Sequence, residues 1–184
     1  MQVYFARHGQ TASAATGRLK TDDESLTKEG VAESDRAAKS LQSQLDGATV
    51  SRIIASPRTR TKETAAIFGR TLGFVGSIET DPRLAERDCT AYAGQLISDV
   101  FSQSEEALVA GGMEPYGSVY ARTKELYDEV VTTTDQGGVV LLVGHSTAVE
   151  PLTLISRGLL ANAAVPVAKL AVDSVLRLSD PDLL

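Results

Sequence analysis

The chain is 184 residues long, with 42% apolar residues, 23% charged residues and a formal net charge of −6. That length predicts a single domain over 1–184 with a sizeable core, and the acidic balance argues against nucleic acid as a partner. No apolar run reaches membrane-spanning length, one cysteine (Cys89) excludes an intramolecular disulfide framework, and the N-terminus enters a strand with no room for a signal peptide, so the expected location is the cytoplasm with no membrane partner.

The first predicted element is a short buried strand through Val3, Tyr4 and Phe5, β-branched or aromatic residues that suit a pleated core surface. It stops in Arg7-His8-Gly9, followed by Gln10 and Thr11. A cation and an imidazole are thereby placed where a strand ends, which is where open α/β sheets bind ligands. Ala12 to Lys20, rich in Ala, Ser, Thr and Gly, reads as a loop. Thr27 is placed to cap a helix, and Gly30 to Leu45 reads as that helix, with Ala37, Leu41 and Leu45 on one face.

Val50 to Ala55 is a second strand, and Ser56-Pro57 marks the turn into a helix whose apolar face includes Ile67, Phe68 and Leu72. Ile78 to Thr80 is a further short strand, followed by Asp81-Pro82-Arg83-Leu84-Ala85-Glu86-Arg87. Gln95 to Ala110 is expected to be helical up to the Gly111-Gly112 break, and a strong helical stripe runs from Tyr116 to Val131. Its tyrosines are expected in the core, as is Cys89.

Val139 to Val143 repeats the pattern of the first strand: an apolar run, then Gly144-His145-Ser146. The chain has two histidines, and both end predicted strands. Histidine is the side chain best suited to proton or phosphoryl transfer near neutral pH. A helix is expected within Thr147 to Arg157, with its start blurred by Pro151. Ala164 to Ala171 and Ser174 to Leu178 read as a terminal hairpin. Strands alternating with helices predict an α/β fold, a three-layer α/β/α sandwich with a mostly parallel central sheet.

Arg7-His8-Gly9-x-Thr11 near one end and Gly144-His145-Ser146 near the other resemble the histidine phosphatase superfamily, in the branch that also contains cofactor-dependent phosphoglycerate mutase. Gly17-Arg18-Leu19 and Leu26-Thr27 resemble its loop into the first helix. Ser56-Pro57-x-x-Arg60-x-x-x-Thr64-Ala65 resembles the segment that carries a phosphate-binding arginine, which aligns with Arg60 and not with Arg58. Leu84-Ala85-Glu86 matches a motif whose Glu is general acid and base. The resemblance implies catalytic roles for His8, Glu86 and His145, with phosphate held by Arg7, Arg60 and His145. It offers Thr11, Arg18, Arg87 and Ser146 as candidates for touching the substrate. Two departures stand out. Ala14 occupies the place of an Asn that helps to hold phosphate in many members. Cys89-Thr90-Ala91-Tyr92-Ala93 replaces the usual residues before Gly94.

The activity implied is hydrolysis of a small phosphorylated substrate through phosphorylated His8, without metal or other cofactor. No metal-ligand cluster is visible, because the two histidines lie far apart in the chain and there is one cysteine. One alternative is a phosphoglycerate mutase using the same intermediate. Against it, Gln95 to Tyr120 holds no Lys or Arg to grip a substrate carboxylate and carries Asp99, Glu105, Glu106 and Glu114 instead. This favours hydrolysis of a less charged or more varied ester. An alternative of another class is a catalytically weak module that binds phospho-ligands, given Ala14 and the altered stretch after Glu86. The sequence leaves the oligomeric state open.

Overall fold

The computed structural model describes residues 1–19, 23–159 and 174–178. Its sheet is built from β1 (Gln2–Arg7), β2 (Val50–Ala55), β3 (Glu79–Thr80), β4 (Val139–Gly144) and β5 (Val175–Arg177). The strand order is β3-β2-β4-β1-β5, with every pairing parallel except that of β5 on β1. The fold is therefore α/β with a mostly parallel central sheet, as the alternation of elements predicted.

Period-two alternation distributes the strand side chains to two faces. Tyr4, Ala6, Ile53, Leu141 and Val143 share one core layer with Ala37, Leu41 and Phe68. These last three come from α2 (Lys28–Gln44) and α3 (Thr59–Thr71). Val3, Phe5, Ile54, Val140 and Leu142 share the other layer with Leu126, Val130 and Leu152. Those belong to α6 (Tyr116–Thr133) and α7 (Val149–Ser156). β4 lies between β1 and β2 and is buried along its whole length. A continuous apolar run is what a strand covered on both faces requires.

Strand register sets where the polar residues leave the sheet. Arg7 pairs with Gly144, and Ala55 pairs with Val143, so β1, β4 and β2 end level with one another. The ladder continues one step further: His8 N–H donates to Gly144 C=O at 3.0 Å, and Ser56 N–H donates to Val143 C=O at 2.9 Å. His8, Ser56 and His145 thus emerge at the same edge.

Several local expectations are met and several are corrected. The Thr27 side chain accepts from Gly30 N–H and caps α2. The stretch read as a loop from Ala12 contains a short helix, α1 (Ala12–Thr16), which ends at Gly17 in the left-handed region, φ 65°. Ala is the strongest helix former, and Gly is the residue that closes a helix this way. The single helix expected over Gln95 to Ala110 is two, α4 (Ile97–Val100) and α5 (Glu105–Ala110). Serines divide them: Ser102 Oγ donates to Asp99 C=O at 2.8 Å, and Ser104 Oγ accepts from Ala107 N–H at 3.3 Å. Such local side-chain bonds compete with the helical ladder. Pro151 sits in the first turn of α7, where no intrahelical N–H bond is lost. Of the expected terminal hairpin, the second arm is β5, and Ala164 to Ala171 lies outside the described residues. No helix among the described residues is long and apolar enough to cross a membrane.

One glycine contact holds the first motif in place. A Cβ on Gly9 would lie 2.2 Å from Gly30 C=O, and a Cβ on Gly30 would lie 2.2 Å from Gln10 C=O. The backbone after His8 therefore packs directly on the start of α2, and Gly9 N–H reaches Thr64 Oγ1 on α3 at 3.2 Å.

Candidate active site

His8 follows β1 and is buried, with 6% of its surface exposed. Its Nδ1 lies 2.8 Å from Gly9 C=O. A carbonyl only accepts, so Nδ1 carries the hydrogen and Nε2 keeps its lone pair. Arg60, in the first turn of α3, donates from Nε to that Nε2 at 3.3 Å. Burial, then the nearby His145, pushes the His8 pKa down to about 3; Arg60 adds to the shift, and the Gly9 carbonyl opposes it. The ring is neutral at any ordinary pH, with its lone pair already aimed at a cation.

His145 follows β4 and is completely buried. Its ring lies 5.1 Å from that of His8, centroid to centroid, at 65°. Nε2 is 2.9 Å from Ser56 Oγ. Nδ1 faces two groups at once: Glu86 Oε2 at 3.3 Å and Arg60 Nη2 at 3.4 Å. Only the carboxylate of that pair accepts, so a hydrogen on Nδ1 is donated to Glu86.

Glu86 stands just beyond a 3-10 turn, Pro82–Leu84. Its Oε1 accepts from Thr147 Oγ1 at 2.5 Å, and its Oε2 lies 4.0 Å from Arg60 Nη2. Burial would raise its pKa. The charge and hydrogen bond of His145, the Thr147 hydroxyl and His8 outweigh that and hold the carboxyl well below its usual range. Glu86 is thus ionised in the resting site. The backbone around it is held as well: Arg122 donates to Glu86 C=O at 3.4 Å and to Arg83 C=O at 2.7 Å, and Arg87 N–H donates to Thr147 Oγ1 at 3.2 Å.

His8, Arg60, Glu86 and His145 therefore converge, as the sequence predicted, although the two histidines stand 137 positions apart in the chain. Arg7 ends β1 opposite Gly144, and its buried Nε has no hydrogen-bond partner among the described residues. Such an orphan donor is uncommon in a folded protein and suits a site that waits for an anion. The remaining candidates are more peripheral. Arg18 donates to Gly94 C=O at 2.7 Å, Thr11 is buried at the start of α1 with its Oγ1 3.3 Å from Ser13 Oγ, and Ser146 is exposed. Ala14, where the resemblance expects an Asn, is an exposed residue of α1.

Arg60 and Glu86 also face a cavity of about 460 Å³. Arg58, Arg87, Arg122, Asp88 and Glu114 line it too. This corrects part of the expectation that acids after Gly94 would repel a substrate carboxylate. Of the four named, Glu114 lines the cavity and Asp99, Glu105 and Glu106 do not, while arginines from three other segments do. Arg87 donates from Nη2 to both carboxylate oxygens of Glu105, at 2.7 and 2.9 Å, and from Nε to Glu114 C=O at 2.6 Å. Cys89 borders the same cavity. Burial, followed by Glu86 and Asp88, pushes its thiol pKa up, so it is a poor nucleophile.

The expectation of no metal-ligand cluster is corrected in one respect. Parallel pairing of β1 with β4 brings nitrogen atoms of His8 and His145 and an oxygen of Glu86 within 4.8 Å of one another. By atom type these donors suit a divalent cation. Arg60, however, stands 3.3 and 3.4 Å from the same two imidazoles. A fixed positive charge there opposes a cation and favours an anion.

Ser56 and Thr147 were not singled out by sequence. Ser56 follows β2 just as the histidines follow β1 and β4, and that shared position was the signal available for it. Thr147 had no comparable mark.

The chain is similar to known proteins in sequence and in fold. A probable phosphoglycerate mutase, GpmB of Erwinia tasmaniensis, is 28% identical over 174 residues, covering 89% of this chain and 78% of that protein. Its namesake from Yersinia pestis is 30% identical over 58% of this chain, and the match spans about half, 47%, of that protein. Among solved structures, mycobacterial hydrolase 1 superposes with a TM-score of 0.72 at 25% identity, over 88% of this chain and 83% of its own. A mycobacterial glucosyl-3-phosphoglycerate phosphatase solved with VO3 shares the fold at 23% identity and a TM-score of 0.71, over 87% of this chain and 83% of its own. The family model described as histidine phosphatase superfamily (branch 1) matches residues 3–165, and the chain belongs to that superfamily.

Proposed function

We propose that the chain is a metal-independent phosphomonoesterase that works through a phosphohistidine on His8. The observation that carries this reading is His8 Nε2: a neutral nitrogen, its tautomer set by Gly9 C=O, flanked by Arg60 and by His145. The Nε2 lone pair attacks phosphorus and the ester P–O bond breaks. Arg7, Arg60 and His145 hold the equatorial oxygens, where charge spreads in the transition state.

Glu86 serves both halves of the reaction. A phosphate dianion takes over its contacts with Arg60 and His145 and adds negative charge beside it. Both changes raise its pKa and let it carry the proton that the leaving oxygen needs. Afterwards the carboxylate accepts a proton from water as the water oxygen attacks phospho-His8. The P–N bond breaks, inorganic phosphate leaves and His8 is neutral again.

A second reading, a phosphoglycerate mutase, is favoured by the name of the Erwinia relative. A mutase must keep water from the phosphohistidine while its intermediate turns over. One assay separates the two: 3-phosphoglycerate and simple monoesters, with and without 2,3-bisphosphoglycerate, in excess chelator. Hydrolysis predicts inorganic phosphate from all of them with little 2-phosphoglycerate. Isomer formation faster than phosphate release by orders of magnitude would replace the phosphatase reading with the mutase. Loss of all turnover in chelator would overturn metal independence.

A further inference from the structure

Four arginines line the cavity beside Glu86, and three of them are engaged. Arg60 contacts both histidines. Arg87 is bonded to Glu105 through both carboxylate oxygens. Arg122 holds Glu114 at 3.0 and 3.2 Å and the carbonyl of Arg83. The fourth, Arg58, is exposed and makes no side-chain hydrogen bond or ion pair among the described residues. It is the residue preceding α3, two positions before Arg60, so both arginines look onto one cavity from one helix start.

We propose that Arg58 forms a second anion position in this cavity, taking a carboxylate carried on the leaving-group side of the phosphomonoester. The proposal rests on the phosphomonoesterase reading and names the class of ester it acts on. Arg60 is committed to the histidines, where the phosphoryl group reacts, so a group reaching Arg58 belongs to the other end of the substrate. A volume of about 460 Å³ has room for that organic portion. The guanidinium is a planar fork that matches a carboxylate through two parallel N–H bonds.

The acids near Arg58 leave its fork open. Asp88 borders the same cavity, and its Oδ1 accepts from Thr90 N–H and Oγ1 at 3.0 and 2.6 Å. The charge of Arg58 is felt at Asp88 and at Asp23, whose carboxylate caps Thr59 N–H at 2.8 Å. Neither acid bonds Arg58, so the single positive charge of the guanidinium is left to be matched by the single negative charge of a carboxylate.

The test uses two esters of matched shape, 4-carboxyphenyl phosphate and 4-carbamoylphenyl phosphate, with the full chain and its Arg58→Gln variant. The ratio of kcat/KM for the carboxylate over the amide should fall about fivefold in the variant, the size of one partly screened ion pair. An unchanged ratio overturns the proposal. Arg58→Ala replaces the first variant should that one fail to fold. If neither ester releases phosphate, the phosphomonoesterase reading fails by itself. The same pair titrated by calorimetry then decides the subsite, by whether the ratio of Kd values falls by the same factor.

Discussion

Thr147 Oγ1 donates to Glu86 Oε1 at 2.5 Å while the other oxygen of Glu86 faces His145, so the carboxylate is held from both sides in its charged form. The two residues are 61 positions apart in the chain. Thr147→Val keeps the shape and removes the donor. A hydrogen bond to a charged group contributes about 1.5–3 kcal/mol, so the variant should unfold at lower urea, by about 2 kcal/mol at pH 7. The folded pKa of Glu86 is depressed, so this stability is present above the unfolded carboxyl pKa and is lost as pH falls through the folded one. The unfolded carboxyl is the same in both chains, so the gap closes only as pH falls from the folded pKa of the variant to the lower one of the wild type, both below the usual carboxylate range. A variant as stable as the wild type at pH 7 would show that the Thr147 hydroxyl adds nothing to the hold on the carboxylate.

His8 has a linkage of the same sign for the opposite reason: its site excludes the charged form, where that of Glu86 favours it. The folded pKa of His8 lies near 3, below the ordinary value of 6.5, so the unfolded chain binds the proton first as pH falls. Stability is full above about pH 6.5 and declines below it. Between pH 7.5 and 4.5 the His8 contribution to that decline is about 2–3 kcal/mol. His8→Asn should lose less stability over this interval by about that amount, measured by urea unfolding at both pH values. Equal losses in the two proteins would place the acid sensitivity elsewhere.

Glu86→Gln cannot exchange a proton but keeps the size of the side chain. General acid help contributes roughly 10²–10⁴-fold, most where the leaving oxygen is a poor one. Alkyl phosphates should therefore slow by about a hundredfold more than 4-nitrophenyl phosphate. His8→Ala should lose turnover of both, by at least about a thousandfold, and should trap no acid-labile phosphoprotein. Equal slowing of alkyl and nitrophenyl esters in Glu86→Gln would remove Glu86 from the acid role.

Gly9→Ala tests the crossing beneath the site. The new methyl would meet Gly30 C=O at 2.2 Å, and backbone cannot swing aside as a flexible side chain does. Overpacking of this kind costs about 1–3 kcal/mol. The His8 ring would move with its backbone, so activity should fall further than stability predicts. A variant with wild-type melting temperature and rate would show that the contact relaxes freely.

The sequence by itself determined the strands, the ends of the strands and what stands there. Apolar runs at Val3 to Phe5 and Val139 to Val143 can be read locally, because burial on both faces demands unbroken hydrophobicity. Right after them come the two histidines, so their placement at one sheet edge needed only the parallel pairing of β1 with β4. Arg60 and Glu86 were legible through motif resemblance. Short polar segments were not: the break between α4 and α5 depends on which hydroxyls turn back on their own backbone, a competition of nearly equal energies. Tertiary structure alone decided the partners. Ser56 meets His145 across 89 positions, Thr147 meets Glu86 across 61, and Arg87 is neutralised by Glu105 while Arg58 is not. Periodicity reports the face on which a residue lies. Whether its charge is already matched depends on which distant segments the sheet brings alongside, and local pattern carries no trace of that.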